Sequence, residues 1–345
     1  MTQLKRHTMT DRVLVTGISG FLGGHVALQL LNAGYSVRGS VRKLERAGKV
    51  RQTLAGAGVD TARLDFVALD LLSDAGWNEA MEGVRFLQHT ASPFVLATPR
   101  DPDELIQPAV EGTRRAVSAA LAAGIERIVL TSSIAAIQYG HDSYERLLTE
   151  ADWTDVENPN TGAYARSKTL AEREAWRLVE AAGHRDRLAV INPAAIFGPL
   201  LDEDPGTSAT VIGMLLGGKL PALPRLHLSG VDVRDVAAMH LMAMTDPQAS
   251  GQRTIASAGT FSLKEIADML RPAFPKRRMP RAEIPNWIVD AAALLIPPLR
   301  ANKAELGPAK RLDGSRGAAL LGRPLIPVAE AAVATGHSLV HHELV

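Results

Sequence analysis

The sequence predicts an α/β fold: a doubly wound parallel sheet followed by a smaller C-terminal lobe. Three observations lead there. Short β-branched runs alternate with helical segments from about residue 12 to residue 200. The first of these runs meets a cluster of glycines at once. After Pro193 the rhythm breaks, and Gly and Pro crowd the chain up to Pro224. Strands that alternate with helices pair in parallel, with both faces of the sheet covered.

The elements follow in order. Val13-Leu-Val-Thr16 is a buried first strand, and Phe21 to Ala33 has helical spacing that stops at Gly34. Tyr35–Val41, Leu64–Leu69 and Gly83–Thr90 read as the second, third and fourth strands. Glu104–Ala123 is a long helix ended by Gly124, and Arg127–Thr131 is the fifth strand. Tyr164–Ala182 is helical and Arg187–Ile191 is the sixth strand. Later helices are expected at Phe261–Leu270 and Val328–Leu339. The expected division is a sheet domain over residues 11–195, and a lobe built mainly from residues 196–345 that caps the carboxyl edge of the sheet, with some segments returning to the first domain. Open α/β sheets bind ligands at that edge.

Composition narrows the function. The chain has 345 residues, 46% hydrophobic and 22% charged, which suits a folded globular protein. A net charge of +1 gives no global field to recruit nucleic acid or a membrane surface. The absence of cysteine removes thiolate nucleophiles, thiolate zinc sites and disulfides together. No metal site is expected, because the ten histidines show no ligand spacing. Residues 1–11 are polar and read as loose, without a secretory signal. The longest apolar stretch, Trp287–Leu299, is broken by Asp290, Pro297 and Pro298 and is too short to span a bilayer. A cytoplasmic location is expected.

Gly17-Ile-Ser-Gly20-Phe-Leu-Gly23 lies between the first strand and the first helix. Glycines there allow a sharp turn and close approach of the backbone to a pyrophosphate, and the helix N-terminus offers free N–H groups to it. Gly17, Gly20 and Gly23, with Ser19, Phe21 and Leu22, are therefore expected to hold a dinucleotide. An enzyme that uses NAD places a carboxylate on the second strand for the ribose 2′-hydroxyl. Here that stretch is Val37-Arg-Gly-Ser-Val-Arg42, with Arg38, Arg42 and Lys43 available and Arg46 beyond. Cations there fit a 2′-phosphate, so NADP(H) is the expected cofactor. Asp70, at the end of the third strand, is positioned either near the adenine, with Leu71, or as a local cap.

Tyr164-Ala-Arg-Ser-Lys168 places a phenol and an ammonium at i and i+4, on one face of a helix. A phenol is a poor acid–base catalyst near neutrality unless a cation stabilises its phenolate. The pair suits proton transfer to or from a substrate oxygen. Thr131-Ser-Ser133 follows the fifth strand, where a hydroxyl can bond a carbonyl. Spacing alone leaves Ser132 and Ser133 open.

These motifs, with His89-Thr-Ala-Ser-Pro-Phe94, Pro108–Thr113, Asn192–Pro199 and Val231–Val236, resemble the extended short-chain dehydrogenases. Within that family the similarity is to the branch of dihydroflavonol reductases, cinnamoyl-CoA reductases and the yeast methylglyoxal/isovaleraldehyde reductase. The resemblance covers nearly the whole chain. It implies a Rossmann fold, Ser133, Tyr164 and Lys168 as the catalytic group, and Arg42 on the 2′-phosphate. It also implies Thr90, Ala91, Ser92, Thr131 and the Pro193-Ala194-Ala195-Ile196 segment along the cofactor. The implied reaction is NADPH-dependent reduction of an aldehyde or ketone. Relatives are monomers or homodimers. Ala109 stands where many extended members have asparagine, and Ile134 and Ala195 where some have tyrosine. With Phe94, these two are expected to shape a roomy apolar pocket for bulky or aromatic carbonyls. Two other readings remain: an NAD-dependent nucleotide-sugar epimerase or dehydratase, and a non-catalytic dinucleotide sensor. Trp153 and Trp176 are expected to be packing residues, Asp232/Arg234/Asp235 an ion-pair knot, and Arg271–Arg281 a solvated basic loop.

Overall fold

The computed structural model describes residues 11–92, 101–218, 222–285 and 308–345. Phe94 and the apolar stretch Trp287–Leu299 lie outside them, as do residues 1–10. The elements run β1 (Arg12–Thr16), α1 (Phe21–Asn32), β2 (Ser36–Val41), α2 (Ala47–Gly56), β3 (Leu64–Ala68), α3 (Trp77–Met81), β4 (Phe86–His89), α4 (Asp103–Ala122), β5 (Arg127–Thr131), α5 (Ala163–Ala181) and β6 (Leu188–Pro193). Then come β7 (Ala195–Phe197), α6 (Ala209–Leu216), β8 (Leu223–Pro224), β9 (His227–Asp232), α7 (Val233–Thr245), β10 (Arg253–Ala256), β11 (Thr260–Ser262), α8 (Leu263–Leu270), β12 (Glu283–Ile284), α9 (Ser315–Leu321) and α10 (Val328–His341).

Seven strands form one parallel sheet in the order β10-β6-β5-β4-β1-β2-β3. The chain steps from β1 through β2 to β3 on one side, then crosses to β4 on the other. This reversal opens a crevice at the carboxyl ends of β1 and β4, the place where doubly wound sheets take ligands. Period-two alternation decides which helices cover which face. Val13 and Val15 point to a core shared with α1 (Val26, Leu30) and α7 (Val236, Met239), while Leu14 points to the opposite core with α4 (Ala116, Val117) and α5 (Ala175, Val179). A third cluster joins Phe197 and Leu223 to α6, α8 and α10. It lies beside two small sheets, β11-β9-β7 and β12-β8.

Several elements carry no clear signal in the sequence. The chief one is β10, which pairs in parallel with β6 as the edge strand of the large sheet. A four-residue run, Arg-Thr-Ile-Ala, is too short to show periodicity. In α2 only Val50 and Leu54 are buried, so no apolar stripe marks that helix. Helix α7 starts at Asp232, whose carboxylate accepts from the N–H of Arg234 as an N-cap. Asp232 also pairs with Arg234, and Asp235 accepts from Arg323 and from the N–H of Ile326, so the charge run is a knot that ties α7 to the segment before α10. Helix α8 opens with a capping box between Ser262 and Glu265. Among the described residues no helix is long and apolar enough to cross a membrane.

Candidate active site

The glycine loop sits where β1 ends. Gly17 has φ +71°, and a Cβ there would meet the Cα of Ala91 at 2.8 Å. A Cβ on Gly23 would collide with the Gly17 carbonyl and come within 2.9 Å of Thr90 Oγ1. The loop is therefore packed directly against the segment after β4. The hydroxyl of Thr90 donates to the carbonyl of Thr16 at 2.6 Å, and the N–H of Ala91 donates to Thr16 Oγ1 at 3.3 Å. The result is a backbone cradle at the N-terminus of α1, with no side chain at positions 17, 20 or 23 to obstruct it. That fits a dinucleotide diphosphate. Ser19 and Phe21 border a cleft that runs towards Leu201 and Asp202, and Leu22 packs against the core.

The basic residues after β2 separate into two kinds. Arg42, Lys43 and Arg46 are exposed, and none of them forms an ion pair among the described residues. Arg38, which the sequence offers as a fourth anion ligand, is committed elsewhere. It pairs with Asp65 at 3.2 Å and donates to the carbonyls of Glu79, Ala80 and Glu82, closing the end of α3. Its position on β2 points it across the sheet to β3 and not into the crevice, which corrects the sequence-based expectation. Asp70 caps its own turn by accepting from the N–H of Leu72 at 2.9 Å.

Lys168 links the catalytic candidates to the loop. Its Nζ donates to Ser92 Oγ at 3.0 Å and lies 5.8 Å from the centroid of the Tyr164 ring, one helical turn away on α5. Tyr164, in the first turn of α5, is 47% exposed. Lys168, Leu71, Ala91, Ser92, Thr131 and Ser132 line one small cleft. The two serines after β5 differ in their commitments. Ser132 donates its hydroxyl to buried Glu172 at 2.5 Å. Ser133 is the N-cap of a short 3₁₀ turn, where its Oγ accepts from the N–H of Ala135 at 3.1 Å and keeps its own proton to donate.

Beneath this layer are residues that motif reading passed over. The side-chain N–H₂ of Asn192, at the end of β6, donates to the Ser133 carbonyl at 3.2 Å and to Glu172 at 2.7 Å. Arg253 on β10 pairs with Glu172 at 2.6 Å. The available signal was spacing: Glu172 stands four residues after Lys168, on the same helix face. Two buried histidines lie under the crevice. His89 shares a hydrogen bond of 2.8 Å with Thr16 Oγ1, and burial, reinforced by the Lys168 charge, pushes it down to about 4. His240 bonds Gln88 at 2.7 Å and Thr131 Oγ1 at 3.0 Å, and burial pushes it down to about 3. Both are neutral at physiological pH. Of the pocket residues, Ala195 is half-buried on β7, Ala194 is buried and Ile134 is packed into the core beside Ile137 and Leu148. Trp176 is buried and donates to Glu172, and Trp153 stacks under Arg253 at 3.8 Å.

Comparison with known proteins places this geometry in context. The model of a family described as the NAD dependent epimerase/dehydratase family matches residues 13–259. Tetraketide alpha-pyrone reductase 2 of Arabidopsis thaliana is 35% identical over 268 residues, covering 76% of this chain and 82% of that protein. Ketoreductase azaE of Aspergillus niger is 32% identical over 305 residues, covering 81% and 88%. Among solved structures, the yeast methylglyoxal/isovaleraldehyde reductase Gre2 complexed with NADPH superposes with a TM-score of 0.78 at 26% identity, covering 96% of this chain and 99% of that one.

Proposed function

This chain belongs to the NAD-dependent epimerase/dehydratase family, within the extended short-chain dehydrogenases, and from that premise we propose that it reduces an aldehyde or ketone to the alcohol with NADPH. The observation that carries the reading is Lys168, held between Ser92 and the ring of Tyr164 beside the glycine cradle. The relatives named above are reductases, one of them in complex with NADPH, which supports the reductive direction.

Gly17, Gly20 and Gly23 take the diphosphate on backbone N–H groups, and Arg42 with Arg46 takes the 2′-phosphate. Thr90, Ala91 and the Pro193–Ile196 segment flank the remaining length. The chemistry that NADPH would supply when bound there is hydride transfer to a carbonyl carbon. Ser133 donates a hydrogen bond to the carbonyl oxygen, where negative charge grows, and such a donor is worth about 10²–10³ in rate. Tyr164 gives its phenolic proton to the nascent alkoxide. The ammonium of Lys168 stabilises the charge that this transfer leaves on the tyrosine oxygen. The commitment of Ser132 to Glu172 supports Ser133 as the donor to the carbonyl. The small side chain of Ala195, half-buried on β7, supports a preference for bulky apolar or aromatic carbonyls.

The test is loss of NADPH absorbance with a small aldehyde, an aromatic aldehyde, a bulky aryl ketone and a cyclic diketone, with NADH in parallel. Turnover with NADPH on the larger carbonyls is expected. Tight co-purification of NAD with no carbonyl turnover would instead indicate an epimerase.

A further inference from the structure

The active-site loop rests on a buried ionic knot whose components lie far apart in sequence. Glu172 has no solvent exposure, and its two oxygens accept from four side chains. Arg253 Nε donates to Oε1 at 2.6 Å and Trp176 Nε1 to the same oxygen at 3.3 Å. Ser132 Oγ donates to Oε2 at 2.5 Å and Asn192 Nδ2 to that oxygen at 2.7 Å. Each donor comes from a piece of the site's framework. Ser132 precedes Ser133. Asn192 precedes the Pro193–Ile196 wall and reaches the Ser133 carbonyl. Arg253 continues to the carbonyls of Glu150 and Asp152 at 2.8 and 2.6 Å, and so anchors the segment after the serines.

Glu172 itself rides on α5, four residues beyond Lys168 and eight beyond Tyr164, so all three share one face of the helix. The carboxylate thus fixes the helix that carries Tyr164 and Lys168 against the loop that carries Ser133. Charge-assisted hydrogen bonds to one acceptor are short and directional, and a loop held by them has little freedom to drift. A buried pair like this is a weak source of stability, since desolvation offsets most of its attraction. Its value lies in geometry.

We propose that Glu172 is a positioning residue for carbonyl reduction: with Arg253 as its counter-ion, it sets the register between Ser133 and the Tyr164–Lys168 pair through Ser132 and Asn192. The proposal rests on the reductase reading above. It also divides labour between the adjacent serines, with Ser133 facing substrate and Ser132 tying its neighbour to the framework.

The experiment compares wild type, Glu172→Gln, Ser132→Ala and the double variant, below the melting temperature of each. NADPH binding is followed by its own fluorescence, and turnover with the best carbonyl of the panel. In Glu172→Gln, kcat should fall about 10–100-fold, the loss typical when the partner that orients an active group is removed. The NADPH dissociation constant should stay within about twofold, because none of the side chains that donate to Glu172 belongs to the glycine cradle. Ser132→Ala, a mild change that keeps the fold even if Glu172→Gln does not, should lower kcat without raising the dissociation constant. In the double variant the two losses should not add, since both cut the same tie. A lowered melting temperature with unchanged kcat in the folded variants would reduce Glu172 to a packing role and overturn the proposal. A wild type that binds NADPH but reduces no carbonyl would overturn the reductase reading and, with it, this one.

Discussion

The carbonyl of Gly17 occupies the space that a side chain on Gly23 would need, and Thr90 closes that space from the other side. Gly23→Ala therefore forces either α1 or the loop to move. Overpacking of this kind costs about 1–3 kcal/mol. The expected outcome is a lower melting temperature together with a loss of NADPH affinity of tenfold or more, read by fluorescence titration. Wild-type affinity in this variant would mean that the cradle does not hold the diphosphate.

Tyr164→Phe removes a hydroxyl at an exposed position and leaves the ring beside Lys168. NADPH binding and melting temperature should be nearly unchanged, while kcat drops about 10²–10⁴-fold, as when a general acid is lost. Stopped-flow measurement of a single turnover would place the defect in the chemical step. Retention of more than a tenth of the rate would remove Tyr164 from the proton-donating role.

Arg42 and Arg38 stand on one strand and its extension, four residues apart, but their surroundings predict opposite phenotypes. Arg42→Ala should raise the KM for NADPH about 10–100-fold, the worth of charge-assisted bonds to a phosphate, and leave the KM for NADH alone. Arg38→Ala should lower stability, since it uncaps three carbonyls and leaves Asp65 with Arg12 alone, and should leave the NADPH/NADH preference unchanged.

Acid should destabilise the protein through its buried histidines. In the folded state His89 holds out to about 4 and His240 to about 3, whereas both imidazoles titrate near 6.5 once unfolded. The unfolded chain thus binds more protons across this range, and stability rises with pH. The contribution is complete above about 6.5 and is lost as pH falls towards the folded values. At pH 4.5 the loss is about 2–3 kcal/mol per histidine, from about 1.4 kcal/mol per unit. Urea midpoints from pH 7.5 to 4.5 should fall steeply, and His240→Gln should flatten that slope. An unaltered slope would mean that His240 is already protonated in the native state or does not contribute.

Ala195→Tyr places an aromatic ring at the start of β7, beside the proposed nicotinamide site. Activity on bulky aryl ketones should decline relative to small aldehydes by tenfold or more. Equal changes on both would show that Ala195 does not bound the substrate pocket.

The parts of this molecule that could be read from the sequence are those coded locally. Val13–Thr16 followed by Gly17, Gly20 and Gly23 announces strand, cradle and helix within a dozen residues, and Tyr164 with Lys168 is a same-face pair on one helix. Other parts depend on residues that meet only after folding. Arg253 looks like an ordinary charge in a short run, yet it is 7% exposed and neutralises a glutamate 81 positions earlier. Arg38 looks like an anion ligand because its strand is right, but Asp65 on the adjacent strand claims it. Helix α2 was hidden by its polarity, since two buried residues make no stripe.

The edge strand β10 arrives late in the chain, after β7, α6, β9 and α7 have been laid down. During synthesis, therefore, β6 leaves the ribosome with an open edge, and Glu172 has no cation until residue 253 has emerged. A nascent chain cut near residue 195 would expose unpaired backbone along β6 and leave a carboxylate without its counter-charge in the interior, the conditions that favour aggregation and chaperone capture. Although the sheet begins at residue 12, its last strand is delivered only after β7, β8 and β9 of the smaller sheets, so a fragment ending near residue 195 is expected to fold poorly by itself.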